Sequence, residues 1–193
     1  MRVFVAGASG VIGVRLVPLL VADGHEVAGL TRSPGKAEHL RALGAEPVVC
    51  DVFDLDALSR AVASFAPDVV LHQLTDLPDA VARVPEMMAA NARIRREGTR
   101  NLLAAAVGLE RFVAQSVAWE IPGDGGIAVE EHERAVLDAG GVVVRYGRFY
   151  GPGTYHEVEL PRPPRVHVDD AARRTLPLLS APSGIVVVAD GTR

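Results

Sequence analysis

The chain has 193 residues and a formal net charge of −4, and hydrophobic residues make up 49% of it. This length suits one domain with a sizeable core, and the scattered basic residues argue against nucleic acid or an anionic membrane as a partner. The single cysteine, Cys50, excludes an internal disulfide and a cysteine-based metal site, which fits a reducing cytoplasm, and we expect no metal.

Short apolar runs alternate with helical patterns along the chain. The runs predict strands at 2–7, 25–31, 46–52, 67–74, 111–118, 142–147 and 184–190. The helical patterns predict helices at 11–24, 34–45, 54–65, 85–109, 128–141 and 169–180. Pro18 should kink the first helix and Asp54 should cap the third. No run has transmembrane length, and Met1 and Arg2 lead straight into a strand, so we expect neither a membrane span nor a signal peptide.

Continuous apolar strands separated by helices are typical of a parallel sheet that is covered on both faces. We therefore expect one doubly wound α/β domain over residues 1–193. A small irregular segment around 147–168, rich in glycine and proline, should lie on the substrate side.

Three glycines stand between the first predicted strand and the first helix, spaced as G-x-x-G-x-x-G at Gly7, Gly10 and Gly13. Side chains there would obstruct a tight turn, close approach to a pyrophosphate, and packing of the helix on the strand. The start of the helix then offers N–H groups to phosphates. The pattern predicts a dinucleotide site formed by Gly7, Ser9, Gly10, Val11, Ile12 and Gly13. A purely structural turn would leave glycine at all three positions unexplained.

The end of the second strand carries a basic group where NAD-preferring sites usually have an acidic one. The stretch is Thr31-Arg32-Ser33, followed by Lys36, which is the only lysine of the chain. Arg32 can pair with a 2′-phosphate, so the sequence favours NADP(H) over NAD(H) as the cofactor. The alternative is a solvated Arg32 and a site that accepts either form.

Seven stretches together resemble the short-chain dehydrogenase/reductase superfamily, in its extended branch of NAD-dependent epimerases and dehydratases. They are AGASGVIG (6–13), CDV (50–52), VVLHQLT (69–75), NARIRREGTRNLLAAA (91–106), RFVAQSVA (111–118), RYGRFYGPGT (145–154) and VHVDDAA (166–172). The resemblance implies a Rossmann-like NAD(P)-binding fold. It also implies that Asp51 and Val52 flank the adenine ring, and that Leu71, His72 and Gln73 line the cofactor channel. His72 could equally be a packing residue.

The same resemblance implies an active site after the fifth strand. Asn91 would lie on the long helix behind it, Ser116 would hydrogen-bond a substrate carbonyl, and Tyr150 would pass near the nicotinamide. Tyr150 could also supply a phenol, and His132 could point into the cleft and act as an acid or base near neutral pH. The alternatives are that Ser116 only bonds backbone and that His132 belongs to a solvated helix face.

The family's chemistry depends on a Tyr-x-x-x-Lys pair that shares a helix face and moves a proton at the reacting oxygen. If Glu133 matches the family's helix glutamate, this chain has Gly125 and Val129 at those positions. No tyrosine or lysine lies between residues 117 and 145, and only 13 residues separate Gly153 from His167, where the family builds a long lid. The resemblance thus supports fold and cofactor better than epimerase or dehydratase activity.

These observations favour an atypical NADP(H)-dependent reductase of a small organic substrate. One alternative is a catalytically degenerate protein that binds or senses NADP(H). Another is a non-redox isomerase or cyclase that reuses the fold. A homodimer is compatible with the sequence.

Overall fold

The structure is a computed structural model that describes residues 1–78, 80–109 and 111–191. Seven parallel strands form one sheet, and two further short strands pair separately. In chain order the strands are β1 (Arg2–Ala6), β2 (Glu26–Thr31), β3 (Glu46–Val49), β4 (Val69–His72), β5 (Arg111–Val117), β6 (Val142–Tyr146), β7 (Arg148–Tyr150), β8 (Arg165–His167) and β9 (Gly184–Val188). The doubly wound parallel sheet expected from the sequence is confirmed.

The order of strands in the main sheet is β3-β2-β1-β4-β5-β6-β9. β1 pairs with β2 on one side and with β4 on the other, so Val3 lies opposite both Val27 and Val69. The chain order therefore reverses between β1 and β4. In open α/β sheets, ligands bind at such a switch point, outside the carboxyl ends of the strands.

Helices cover both faces of the sheet. They are α1 (Gly13–Ala22), α2 (Ala37–Ala42), α3 (Leu55–Phe65), α4 (Met88–Arg93), α5 (Thr99–Ala105), α6 (Asp124–Asp138) and α7 (Val168–Thr175). α1 and α7 contribute to the apolar core on one face, and α3, α5 and α6 to the core on the other. Pro18 lies inside α1, and the Asp54 side chain caps α3 by accepting from Ala57 N at 2.9 Å. Among the described residues, no helix has both the length and the apolar character needed to cross a membrane.

The largest differences from the sequence prediction lie in the long helix, at the start of α6 and in the segment around 147–168. The single helix expected at 85–109 is a 3-10 helix (Val81–Met87) followed by α4, a π-helical turn (Ile94–Gly98) and α5. α6 begins at Asp124, before the expected 128, although it starts with Gly125 and Gly126. A Cβ on Gly126 would lie 2.1 Å from the Ile121 carbonyl oxygen, so the close packing of this first turn requires glycine there. β7 and β8 lie at the two ends of the segment that was expected to be irregular.

Candidate active site

A cleft of about 790 Å³ runs along the carboxyl ends of the parallel strands. The glycine turn after β1 and the residues that follow β2 and β3 line one end. Residues that follow β4, β5 and β6 line the other end, together with residues 153–156. The cleft therefore extends to both sides of the switch point between β1 and β4.

The glycine turn packs so tightly that two of its three glycines have no room for a side chain. Gly7 has a φ of +92°, and a Cβ on it would lie 2.7 Å from the backbone of Gln73. A Cβ on Gly13 would lie 2.2 Å from the Gly7 carbonyl oxygen. Gly7, Ser9, Gly10, Val11 and Ile12 line the cleft, whereas Gly13 lies behind the turn and lets α1 pack against it.

Arg32 and Lys36 line the same end of the cleft, together with Asp51 and Val52. Arg32 Nη2 donates to Asp76 Oδ1 at 2.8 Å. The Arg32 side chain is 64% exposed and that of Asp76 is 14% exposed. The place of Asp76 in the site could not be predicted from the sequence, because it lies on the loop after β4 and contacts Arg32 only in the folded chain.

Asn91 does not line the cleft. It is buried, and its Oδ1 accepts from Asp76 N at 3.1 Å. Its contribution to the site is therefore to hold the loop that carries Asp76. A role of Asn91 as a direct cofactor contact is not supported, because it lies on α4 behind the lining of the cleft.

Of Leu71, His72 and Gln73, which were all expected to line the cofactor channel, only Gln73 lines the cleft. Leu71 and His72 are the last two residues of β4, and both are buried in the sheet. Because both faces of the sheet are covered at β4, the first residue of this segment to reach the cleft is the one that follows the strand. Gln73 is that residue, and it is 4% exposed.

The amide of Gln73 is unusual for a buried polar group. Neither its Nε2 nor its Oε1 makes a hydrogen bond of normal geometry within the described part of the chain. Buried polar groups are nearly always paired, because an unpaired one keeps its full desolvation cost. The backbone around it is fixed by Gln115, whose Nε2 donates to the carbonyl oxygens of Gln73 and Leu74, both at 3.1 Å.

Ser116 lines the cleft, but its hydroxyl proton points away from it. Ser116 Oγ donates to Glu133 Oε1 at 2.5 Å, and Arg145 donates to both oxygens of the same carboxylate. Burial by itself would raise the pKa of the Glu133 carboxyl. The hydrogen bonds from Arg145 and Ser116 outweigh burial and hold that pKa below its usual value. Because Glu133 is a carboxylate, Ser116 is its donor and offers only lone pairs to a ligand.

The expectation that His132 points into the cleft is wrong. Its ring is 2% exposed, and its Nε2 lies 2.9 Å from the Gln115 carbonyl oxygen, which can only accept. His132 Nδ1 therefore accepts from the Thr99 hydroxyl at 2.7 Å, and that hydroxyl accepts from His72 Nε2 at 3.0 Å. Burial lowers the pKa of His132 to about 4 and that of His72 well below its usual value. Both rings are neutral packing groups.

Tyr150 also lies outside the lining of the cleft. Its hydroxyl donates to Asp190 Oδ2 at 3.2 Å, and its ring packs edge-on against His167. Tyr146 lines the cleft instead, with its hydroxyl 2.6 Å from Thr175 Oγ1. Because Thr175 gives its own proton to the Ala171 carbonyl oxygen, Tyr146 must be the donor to Thr175. Burial raises the pKa of Tyr146 to about 12, against smaller effects of Thr175 and Gln73.

Two further cleft residues were not found from the sequence. Arg148 and His156 both line the cleft, on β7 and on the loop that follows it. Arg148 packs over the face of Trp119, the only tryptophan of the chain, with its Cζ 4.5 Å from the ring centroid. No local pattern marks either residue, since each reaches the cleft through the bend that follows β6.

Comparison with known proteins decides the family. The model of the NAD dependent epimerase/dehydratase family matches residues 3–136, which span β1 to most of α6. The chain belongs to this family. The 3-diazoavenalumate denitrifying reductase of a Streptomyces species is 41% identical over 180 residues, covering 80% of this chain and 58% of that protein. The UDP-glucose 4-epimerase of Mycolicibacterium smegmatis is 35% identical over 130 residues, covering 64% of this chain and 41% of the epimerase.

The chain therefore spans less than two thirds of the length of these relatives. Solved structures show the same fold. The UDP-glucose 4-epimerase of Thermus thermophilus in complex with NAD superimposes with a TM-score of 0.82 at 24% identity, covering 100% of this chain and 78% of the epimerase. The Thermotoga maritima UDP-glucose 4-epimerase with UDP-glucose gives 0.81 at 21% identity, with the same two coverages.

Proposed function

We propose that this family member is an NADP(H)-dependent reductase of a small organic substrate. One observation carries the proposal. A single cleft joins the glycine turn and two basic side chains, Arg32 and Lys36, to the buried amide of Gln73, which makes no hydrogen bond of normal geometry to the described residues. The end of the cleft with the glycine turn, Arg32 and Lys36 suits a dinucleotide. The end with Gln73 suits a ligand that reacts with the dinucleotide.

The residues that are present fit a nicotinamide dinucleotide. α1 begins at Gly13, directly after the residues of the glycine turn that line the cleft, and the first N–H groups of a helix have no partner within it. A pyrophosphate there would accept from them. Arg32 and Lys36 would hold a 2′-phosphate, and Asp51 and Val52 would lie beside the adenine. Gln73 would gain the hydrogen bonds that it lacks from the nicotinamide carboxamide or from the substrate.

When bound, NADPH supplies a hydride, and the chain's own groups decide which acceptors can use it. Reducing a ketone also requires a proton at the oxygen. Ser116 and Tyr146 both line the cleft, and both already donate their protons to buried acceptors, Glu133 and Thr175. The chain also lacks a Tyr-x-x-x-Lys pair. We infer an acceptor that needs a hydride and no acid from the protein.

An aryl diazonium ion is such an acceptor. Its reduction forms one C–H bond, breaks the C–N bond and releases dinitrogen, while NADPH becomes NADP⁺; no proton is consumed. The name of the Streptomyces relative, a denitrifying reductase of a diazo compound, supports this class. A relative from Stigmatella aurantiaca, 38% identical over 106 residues, is named as a ketoreductase, which supports hydride transfer in a wider group of relatives.

The test compares two acceptors under the same conditions. An aryl diazonium salt and the matching aryl methyl ketone are each mixed with NADPH, with and without the protein. We expect protein-dependent loss of NADPH absorbance and release of dinitrogen with the diazonium, and a rate at least about tenfold lower with the ketone, in line with a missing acid. Absence of protein-dependent NADPH oxidation with diazonium, carbonyl and quinone acceptors would favour a binding or sensing protein instead.

A further inference from the structure

The end of the cleft beyond Ser116 carries a positive charge that pairs with no carboxylate of the described residues. Arg148 is the first residue of β7, separated from β6 by Gly147, and no carboxylate of the described residues forms an ion pair with it. Its neighbour across the β7–β8 pair, Arg165, does have one, Asp190, at 3.7 Å. Burial and the nearby Arg162 both lower the pKa of the Arg148 guanidinium, since neither is offset by an anion.

The acidic residues of the cleft follow strands other than β6. Among the described lining residues the carboxylates are Asp51 and Asp76, which follow β3 and β4, and Asp76 is bonded to Arg32. Arg148 and Arg32 follow strands that are four positions apart in the sheet, which corresponds to about 19 Å at about 4.8 Å per strand. Arg148 therefore does not belong to the cofactor's phosphate contacts and faces the substrate end.

The backbone and one side-chain bond hold Arg148 in place. Its N–H donates to the Pro164 carbonyl oxygen at 2.9 Å, and Nη1 donates to the Pro163 carbonyl oxygen at 3.3 Å. The guanidinium lies over the Trp119 ring, with its Cζ 4.5 Å from the ring centroid. A guanidinium in contact with an aromatic ring still has N–H donors free to bind a ligand. A planar fork of this kind matches a carboxylate.

The walls beside this fork are aromatic. Trp119, Tyr146 and Phe149 all line the cleft, and the Tyr146 and Phe149 rings are 5.3 Å apart. Aromatic walls of this type bind flat apolar bodies, and a few polar groups fix their orientation.

We propose that Arg148 and Trp119 form a subsite for the carboxylate of an aromatic acid, so that the substrate is an aromatic carboxylate with its reacting carbon directed toward the nicotinamide end. The inference rests on the proposed function in one respect, since it takes the occupant of this end of the cleft to be the substrate. Arg148 is thereby a specificity residue, and the chemistry itself does not pass through it.

The test is a binding measurement that needs no turnover. Because Trp119 is the only tryptophan and contacts Arg148, its fluorescence reports occupancy of this subsite directly. The probes are 3-phenylpropanoate, its uncharged amide 3-phenylpropanamide, and acetate, each titrated into the full chain with and without NADPH. We expect 3-phenylpropanoate to bind at least about tenfold more tightly than its amide, because only the carboxylate can make charge-assisted hydrogen bonds to Arg148. Acetate should bind more weakly than either.

Two arginine variants separate a local contact from a general charge effect. Arg148→Gln should remove the preference for the acid, with its melting temperature and NADPH affinity retained as the check on folding. Arg162→Gln removes the same charge from a neighbouring exposed residue that does not line the cleft, and it should keep the preference within about twofold.

The contrary results are equally definite. Equal affinity for acid and amide, no binding of the acid up to its solubility limit, or an equal loss in both variants would overturn the carboxylate subsite. Acetate binding as tightly as 3-phenylpropanoate would overturn the aromatic part of the proposal. Selective acid binding by a chain that oxidises no NADPH would leave the subsite standing and refute the proposed reductase activity.

Discussion

Arg32 should set the preference for NADPH over NADH by giving up its hydrogen bond to Asp76 and binding the 2′-phosphate instead. In the structure Arg32 is bonded to Asp76, so a phosphate must displace that contact. Arg32 is 64% exposed, and an exposed ion pair contributes only about 0.2–1 kcal/mol. A charge-assisted bond to phosphate contributes about 1.5–3 kcal/mol, so the exchange favours NADPH by about 1–2 kcal/mol.

This difference corresponds to a NADPH affinity about 5–30 times that for NADH, measured as two dissociation constants by calorimetry at low salt. Arg32→Ala should reduce the ratio to near one by weakening NADPH binding, while NADH binding changes by less than about twofold. Arg41→Ala is the matched control. Arg41 is also exposed, pairs with Glu38 and lies outside the lining of the cleft, so both affinities should persist.

Asp76→Asn tests the same exchange from the other side. Removing the competing carboxylate should strengthen NADPH binding by about 2–5-fold, the value of an exposed pair. The opposite result is informative. If the wild-type chain prefers NADH and Asp76→Asn weakens NADH, then Asp76 accepts from the ribose 2′-hydroxyl, and the assignment of NADP(H) from Arg32 is refuted.

Three further predictions concern buried groups. Ser116→Ala should lower the unfolding free energy by about 1 kcal/mol, because Glu133 loses a donor, and turnover per folded molecule should fall less than tenfold; a loss on the order of 10²-fold would mean that Ser116 polarises the substrate after all. Gln73→Leu should leave the melting temperature equal or higher, since it removes unpaired polar atoms, while weakening ligand binding at least about fivefold; lowered stability with intact binding would contradict the role given to that amide. His132 has a folded-state pKa of about 4 against 6.5 when unfolded, so the unfolded chain binds more protons between those values. Stability should fall as the pH drops from about 6.5 to about 4, by up to about 3 kcal/mol, and urea titrations of the wild type and His132→Gln should differ in that window.

The strands and the glycine turn were predictable because each depends on a local pattern. A parallel sheet covered on both faces requires continuous apolar runs, and the crowding at Gly7 and Gly13 leaves no alternative residue. The long helix was harder to predict. Pro85 lies in a 3-10 segment, and the π-helical turn at Ile94–Gly98 has no signature in a periodicity of 3.6 residues.

The reacting end of the site was less predictable, because it depends on which way side chains turn. His132 and Glu133 are neighbours on α6, and both are buried by partners distant in sequence, Gln115 for one and Arg145 for the other. The position of Ser116 in the cleft could be inferred from β5, but the direction of its proton could not. That direction is set by Glu133, seventeen residues further along the chain.

If this chain transfers a hydride from NADPH without a protein acid, an isotopic label on that hydride should appear in the product. The chain is mixed with an aryl diazonium salt and NADPH that carries deuterium at the transferable position, and the arene product is analysed by mass. We expect one deuterium in each product molecule, one NADPH oxidised for each dinitrogen released, and no solvent hydrogen at the carbon that carried the diazonium group. Product that carries solvent hydrogen, or NADPH that binds and is never oxidised, would contradict it.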